Sequence, residues 1–134
     1  MRFVQKSGTW NVTVGGRSDT PVLKMPNLTK GNAIQVTATF LAKTNGSADS
    51  GFWYTVQATN PADAQALSAQ QSVVQGNAGF QTTTKTVFFL AQISSPTGVE
   101  DVDFEVVFQK GDLDGQGQIS DFLMTGSVVT IAEP

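Results

Sequence analysis

The chain has 134 residues, 40% of them apolar and 9% aromatic, and carries a net charge of −3. That length suits a single domain able to bury a full core, and the apolar content excludes intrinsic disorder. Only 14% of the residues are charged, against roughly 25% in an ordinary soluble domain. The pI of about 4.6 and singly scattered bases argue against nucleic-acid binding. Thr, Ser, Gln and Asn fill the gap left by charge. Neutral polar surface is cheaper to desolvate than Lys and Glu, which fits a protein packed against a partner; the Thr content suits exposed strands equally well.

In chain order, Met1-Arg2-Phe3-Val4 leads into polar residues without the apolar core of an export signal, and no run approaches the 18 or so apolar residues of a membrane span. No membrane association and assembly in the cytoplasm are expected. Trp10, Val12 and Val14 alternate with Thr9, Asn11 and Thr13, as do Ile34, Val36, Ala38 and Phe40 with Gln35, Thr37 and Thr39. Phe52, Tyr54 and Val56 face away from Trp53, Thr55 and Gln57. Val102, Phe104, Val106 and Phe108 face away from Asp101, Asp103, Glu105 and Val107. A period of two gives each strand one buried face and one facing water or a partner, as in antiparallel sheets.

Val87–Ile93 is apolar on both faces, and either one last strand or a pair of strands parted at Gly126 covers residues 118–131. Turn residues separate these runs at Gly15-Gly16, Pro26-Asn27, Lys30-Gly31-Asn32, Asn45-Gly46, residues 94–98 and residues 111–117. Asn60 as N-cap, Pro61 and the following Ala/Gln/Leu run predict a short helix or a crossing connection over residues 60–71. No linker or composition break divides the chain, so residues 1–134 read as one domain.

The expected fold class is all-β, a two-sheet antiparallel β-sandwich. Residues 1–43 hold six bases against Asp19, and residues 99–134 hold eight acids against Lys110. If the first and last strands lie side by side, as in a jelly roll, these segments meet with complementary charge, which favours that topology over an immunoglobulin-like order.

The chain has no His and no Cys. This removes the usual general base near neutral pH, the Ser-His-Asp and Cys-His arrangements, disulfides and structural zinc. No cofactor, metal or catalytic residue is expected. Asp101, Asp103 and Glu105 share a strand face, but glycosidase chemistry needs one shielded acid and this row reads as open. Residues 112–121 begin like a calcium loop, yet the twelfth position, which needs a bidentate carboxylate, is Leu123. A glycine-rich hairpin loop accounts for the same residues. The glycosylation triplets at Asn11, Asn27 and Asn45 are expected by chance in so Asn- and Thr-rich a chain. Trp53 and Phe88 lie opposite the apolar faces of their strands. Partial covering by the rest of the sandwich would explain both, and a contact surface would too.

The small Thr/Gly/Gln-rich β-domain without Cys or His, closing on Phe122-Leu123-Met124-Thr125-Gly126-Ser127-Val128-Val129-Thr130-Ile131, resembles jelly-roll head-decoration (cement) proteins of bacteriophages. Its texture is also similar to the β-sandwich heads of tail fibres. The likeness is one of composition and strand layout, with no motif from which site residues transfer. The resemblance implies a virion protein, made in the host cytoplasm, that binds where major capsid protein subunits meet and acts as a homo-dimer or homo-trimer. The residues singled out for partner contact are an amino-terminal arm of Met1, Arg2, Phe3 and Lys6, and the outward Trp53, Phe88 and Leu90. The alternative is a carbohydrate- or receptor-binding module that would use Trp53 with the 44–50 loop to hold a glycan.

Overall fold

The alternating residues form nine strands among the residues that the computed structural model describes, 1–12, 21–44, 52–60, 64–66, 71–74, 79–93, 96–109 and 117–129. They are β1 (Arg2–Val12), β2 (Leu23–Thr29), β3 (Ala33–Lys43), β4 (Phe52–Asn60), β5 (Ala64–Ala66), β6 (Gln71–Val74), β7 (Gln81–Ala91), β8 (Val99–Gln109) and β9 (Gly117–Val129). One sheet has the order β1-β9-β3-β7-β5 and the other β2-β8-β4-β6. Every pairing is antiparallel. The pairs are nested: β4 with β6, then β3 with β7, β2 with β8, and β1 with β9. Successive pairs alternate between sheets, so the chain is one long hairpin rolled up on itself. That is the jelly-roll order, with β5 added on the free edge of β7.

The inward positions interlock across the sandwich. Phe40 of β3 meets Tyr54 and Phe108 of the opposite sheet edge-on, each with centroids 5.1 Å apart. Phe89 of β7 meets Phe104 of β8 at 4.9 Å. Such edge-to-face pairs add to the stabilisation from buried area alone. Ile34, Val36, Val56, Val102, Val106, Ile119 and Met124 fill the spaces between the rings.

Gly126 does not break the last strand; β9 runs through it. A Cβ there would stand 2.7 Å from Leu23 Cδ2 and 2.8 Å from Met25 Sδ. The glycine lets β2 pack directly on the backbone of β9. Pro26-Asn27 is likewise a bulge inside β2, not a turn: the register shifts between Met25 and Leu28. Asn27 takes a left-handed φ of 56°, and its N–H donates to Asp101 Oδ1 at 2.9 Å. The Lys30-Gly31-Asn32 turn is as expected. Gly31 has φ 90°, and Asn32 Oδ1 accepts from the Thr29 N–H at 2.8 Å.

The 60–71 segment crosses between sheets, leaving β4 in one, adding β5 to the other and returning for β6. No helix is present among its described residues. Ala64 and Ala66 instead pair with Ala91 and Phe89 and pack on the core. Edge pairing and burial outweigh the helical propensity of the run. Residues 61–63 and 67–70 lie outside the described residues. So do the expected turns at Gly15-Gly16 and Asn45-Gly46, Ser94 and Ser95 of the 94–98 turn, the 45–50 part of the loop next to Trp53, residues 112–116 of the calcium-like stretch, and the strand ends at Val14 and Ile131.

β1 and β9 do pair, although charge is only part of the reason. Of the carboxy-terminal acids, Asp121 is on β9, while Glu100, Asp101, Asp103 and Glu105 are on β8 in the other sheet. There the complement is local: Lys24 stands directly opposite Asp103 across β2 and β8.

Candidate interaction surfaces

Each sheet has one face on the core and one facing out. On the five-stranded sheet the outward set follows from the register. Phe3 and Gln5 of β1 lie beside Thr125 and Leu123 of β9. Next come Gln35, Thr37 and Thr39 of β3, facing Ser127, Thr125 and Leu123 on one side. On the other side they face Phe88, Thr86 and Thr84 of β7. Leu90 ends the β7 row, opposite Ala33. From Phe3 to Leu90 these positions carry no charged side chain. Asp121 sits at the β9 bulge with φ 53°, and Lys43 lies at the far end near the Phe80 ring.

The central hydroxyls pair with one another. Thr37 Oγ1 lies 3.0 Å from Thr86 Oγ1, and Thr39 Oγ1 lies 3.3 Å from Thr84 Oγ1. These cross-strand contacts satisfy part of the hydroxyls' hydrogen-bonding capacity within the sheet. Set around them are Phe3, 60% exposed, Phe88, 41%, and Leu123, 39%.

The outer face of the four-stranded sheet is built differently. Lys24, Asp101, Asp103 and Glu105 share it with Gln57, Thr55, Val107 and Trp53. The expected open row of acids is in fact graded. Asp101 is exposed, Asp103 half-buried, and Glu105 only 9% exposed. Trp53 is half-buried here, on the opposite side of the sandwich from Phe88.

The structure therefore divides the seven candidate contact residues. Phe3, Phe88 and Leu90 come together on the neutral face. Met1, 88% exposed, precedes the edge strand. Arg2 and Lys6 alternate to the other side of β1: Arg2 Nε donates to the Lys24 carbonyl at 3.4 Å, and Lys6 Nζ stands 4.5 Å from the Trp10 ring centroid. Arg2 thus ties the rim of β1 to β2 of the other sheet, while Lys6 lies along its own strand. The amino-terminal arm is thus no free arm but the first half of β1, paired through Arg2–Lys6 with β9. Val4 packs on the core, and a bulge between Lys6 and Thr9, with Gly8 at φ 92°, disguises the alternation in the sequence. Beside that bulge, Gln5, Lys6, Ser7, Asp121, Phe122 and Leu123 line a recess of about 240 Å³.

The sequence reading missed Leu123 and the threonine rows. The signal was available in the outward positions of β3, β7 and β9, but it emerges only once the register places them side by side.

No known protein-family model matches the chain, and no curated protein matches it. Among solved structures, a family two carbohydrate esterase from Cellvibrio japonicus aligns at 14% identity and a TM-score of 0.33. The alignment covers 98% of this chain and 37% of that one. A likeness that low carries no argument about activity.

Proposed function

We propose that this jelly-roll domain works by binding rather than catalysis, as a cement protein that docks where major capsid protein subunits of a virus particle meet. The observation that carries the reading is the amino-terminal edge. β1 is an 11-residue edge strand with no strand paired to its outer side among the described residues. The strongly exposed Met1 and Phe3 mark its start. An open strand edge takes a partner's strand by backbone hydrogen bonding, and a flanking aromatic supplies an anchor. Repetition over a symmetric lattice multiplies modest contacts into firm attachment. The lack of His and Cys and the compositional likeness to head-decoration proteins point the same way.

Co-sedimentation with candidate shells is the test. Phe3→Asp should lower shell occupancy at least about tenfold, the loss of one anchor, with an unchanged circular dichroism spectrum. Equal occupancy by both proteins, or no binding of the unmodified chain to any shell, rejects the reading.

A second reading rests on Trp53. It shares an outer face with Gln57, about 13 Å further along β4, a ring and an amide spaced for an oligosaccharide rather than for one sugar ring. Glycan-array binding that disappears in Trp53→Ala would favour it, and an array with no signal for the unmodified chain would remove it.

A further inference from the structure

The neutral outer face of the five-stranded sheet has a property that does not depend on capsids. In a two-fold interface each patch meets its own copy, so any net charge on the patch meets the same charge. The four-stranded face, with Asp101, Asp103 and Glu105 against Lys24, is poorly suited to that. The face spanning Phe3, Leu123, Thr37, Thr86, Phe88 and Leu90 has no such penalty, because its positions are uncharged.

Desolvating it is also comparatively cheap. Thr37 with Thr86, and Thr39 with Thr84, already hold their hydroxyls against each other at 3.0 and 3.3 Å. Hydroxyls that keep a partner on burial avoid the larger part of the desolvation penalty. The uncharged positions span about 20 Å across four strands and about 20 Å along them, ending before Asp121 and Lys43. Their projected area of roughly 400 Å², raised by side-chain relief, is less than the ~800 Å² per partner of a standard interface, so the pairing expected is a weak one.

We infer that two copies of this chain pack face to face through the outer side of the β1-β9-β3-β7 sheet. Phe3 and Leu123 flank β3 on one side, Phe88 and Leu90 on the other. A two-fold axis running along β3 lays each apolar flank over the opposite flank of the partner, in the near-aligned packing that twisted sheets adopt.

Sedimentation velocity on the purified chain, at concentrations up to about 100 µM so that a weak dimer still assembles, tests this without any shell. A dimer is expected. Thr84→Lys and Phe88→Asp, both at exposed positions, should each weaken it at least about 100-fold by burying an uncompensated charge. Lys24→Glu on the opposite face should leave it unchanged. Thermal unfolding reports whether each variant is folded, and Thr84→Lys carries the test if Phe88→Asp is not. A monomer throughout the range overturns the inference, as does a dimer indifferent to both substitutions. A monomer that still decorates shells would sink the dimer and leave the cement reading standing. A dimer that binds none would do the reverse.

Discussion

The two outer faces of the sandwich are written in the same period-two pattern and differ only in what fills the outward positions. β8 alternates Val102, Phe104, Val106 and Phe108 with Asp101, Asp103, Glu105 and Val107, whereas β7 alternates Val87 and Phe89 with Thr84, Thr86, Phe88 and Leu90. Inward, both deliver aromatic and β-branched side chains to one core. Outward, the first presents a graded row of carboxylates and the second a neutral sheet of methyls, hydroxyls and rings. The comparison separates two tasks that a strand performs at once. Its inner face specifies the fold, while its outer face is left open to specify contacts, and contacts need not use charge.

The strongest way to break the comparison is to remove what both faces share. Phe40 is fully buried and meets Tyr54 and Phe108 from the opposite sheet. Phe40→Ala should cost about 3–5 kcal/mol through lost transfer energy and an unfilled cavity. In urea denaturation both sheets should melt in one transition. Separate transitions for the two sheets would show that they are not one cooperative unit.

A smaller effect sharpens the contrast. On the charged face Asp101 holds the bulge amide of Asn27 at 2.9 Å, so an outward residue there also supports the backbone. Asp101→Ala should cost about 1 kcal/mol, with most of it restored in Asp101→Asn, which keeps an acceptor oxygen. Thr125→Ala on the neutral face should change stability by less than about 0.5 kcal/mol. Equal effects at the two positions would remove the distinction between an outward acid with a structural contact and an outward threonine without one.

What could be read from the sequence follows the same division. Inward residues announce themselves: Ile34, Val36, Ala38 and Phe40 on β3, and Phe104, Val106 and Phe108 on β8, are visible as alternation, and their burial follows from it. The jelly-roll order was reachable because the ends of the chain differ in charge, yet four of the five described acids of the carboxy-terminal segment sit on β8 beside β2. A correct neighbourhood for β1 and β9 thus came from an incomplete cause. Bulges hid what remained. The extra residue at Ser7-Gly8 breaks the pattern that would have made Arg2–Lys6 a strand, and Pro26-Asn27 imitates a turn while staying inside β2. Gly126 reads as a breaker because nothing local announces that Leu23 and Met25 need its missing side chain. The neutral face was hidden for a different reason. It is a property of four strands in register, and no single segment contains it.

The finest test of that face lies in its hydroxyl pairs. Thr37→Val and Thr86→Val, made singly, each leave one hydroxyl without its 3.0 Å partner and should cost a few tenths of a kcal/mol. Made together they remove donor and acceptor at once, keep the β-branched shape that strands favour, and should be close to neutral. The double-mutant cycle should therefore return a coupling of about 0.5 kcal/mol. A coupling near zero would mean that each hydroxyl is satisfied by water independently. Desolvating this face would then cost more than its internal pairing suggests, and the neutral sheet would lose part of its advantage over the charged one. A measurable coupling places that advantage in the sheet itself, where the hydroxyls of β3 and β7 turn towards one another.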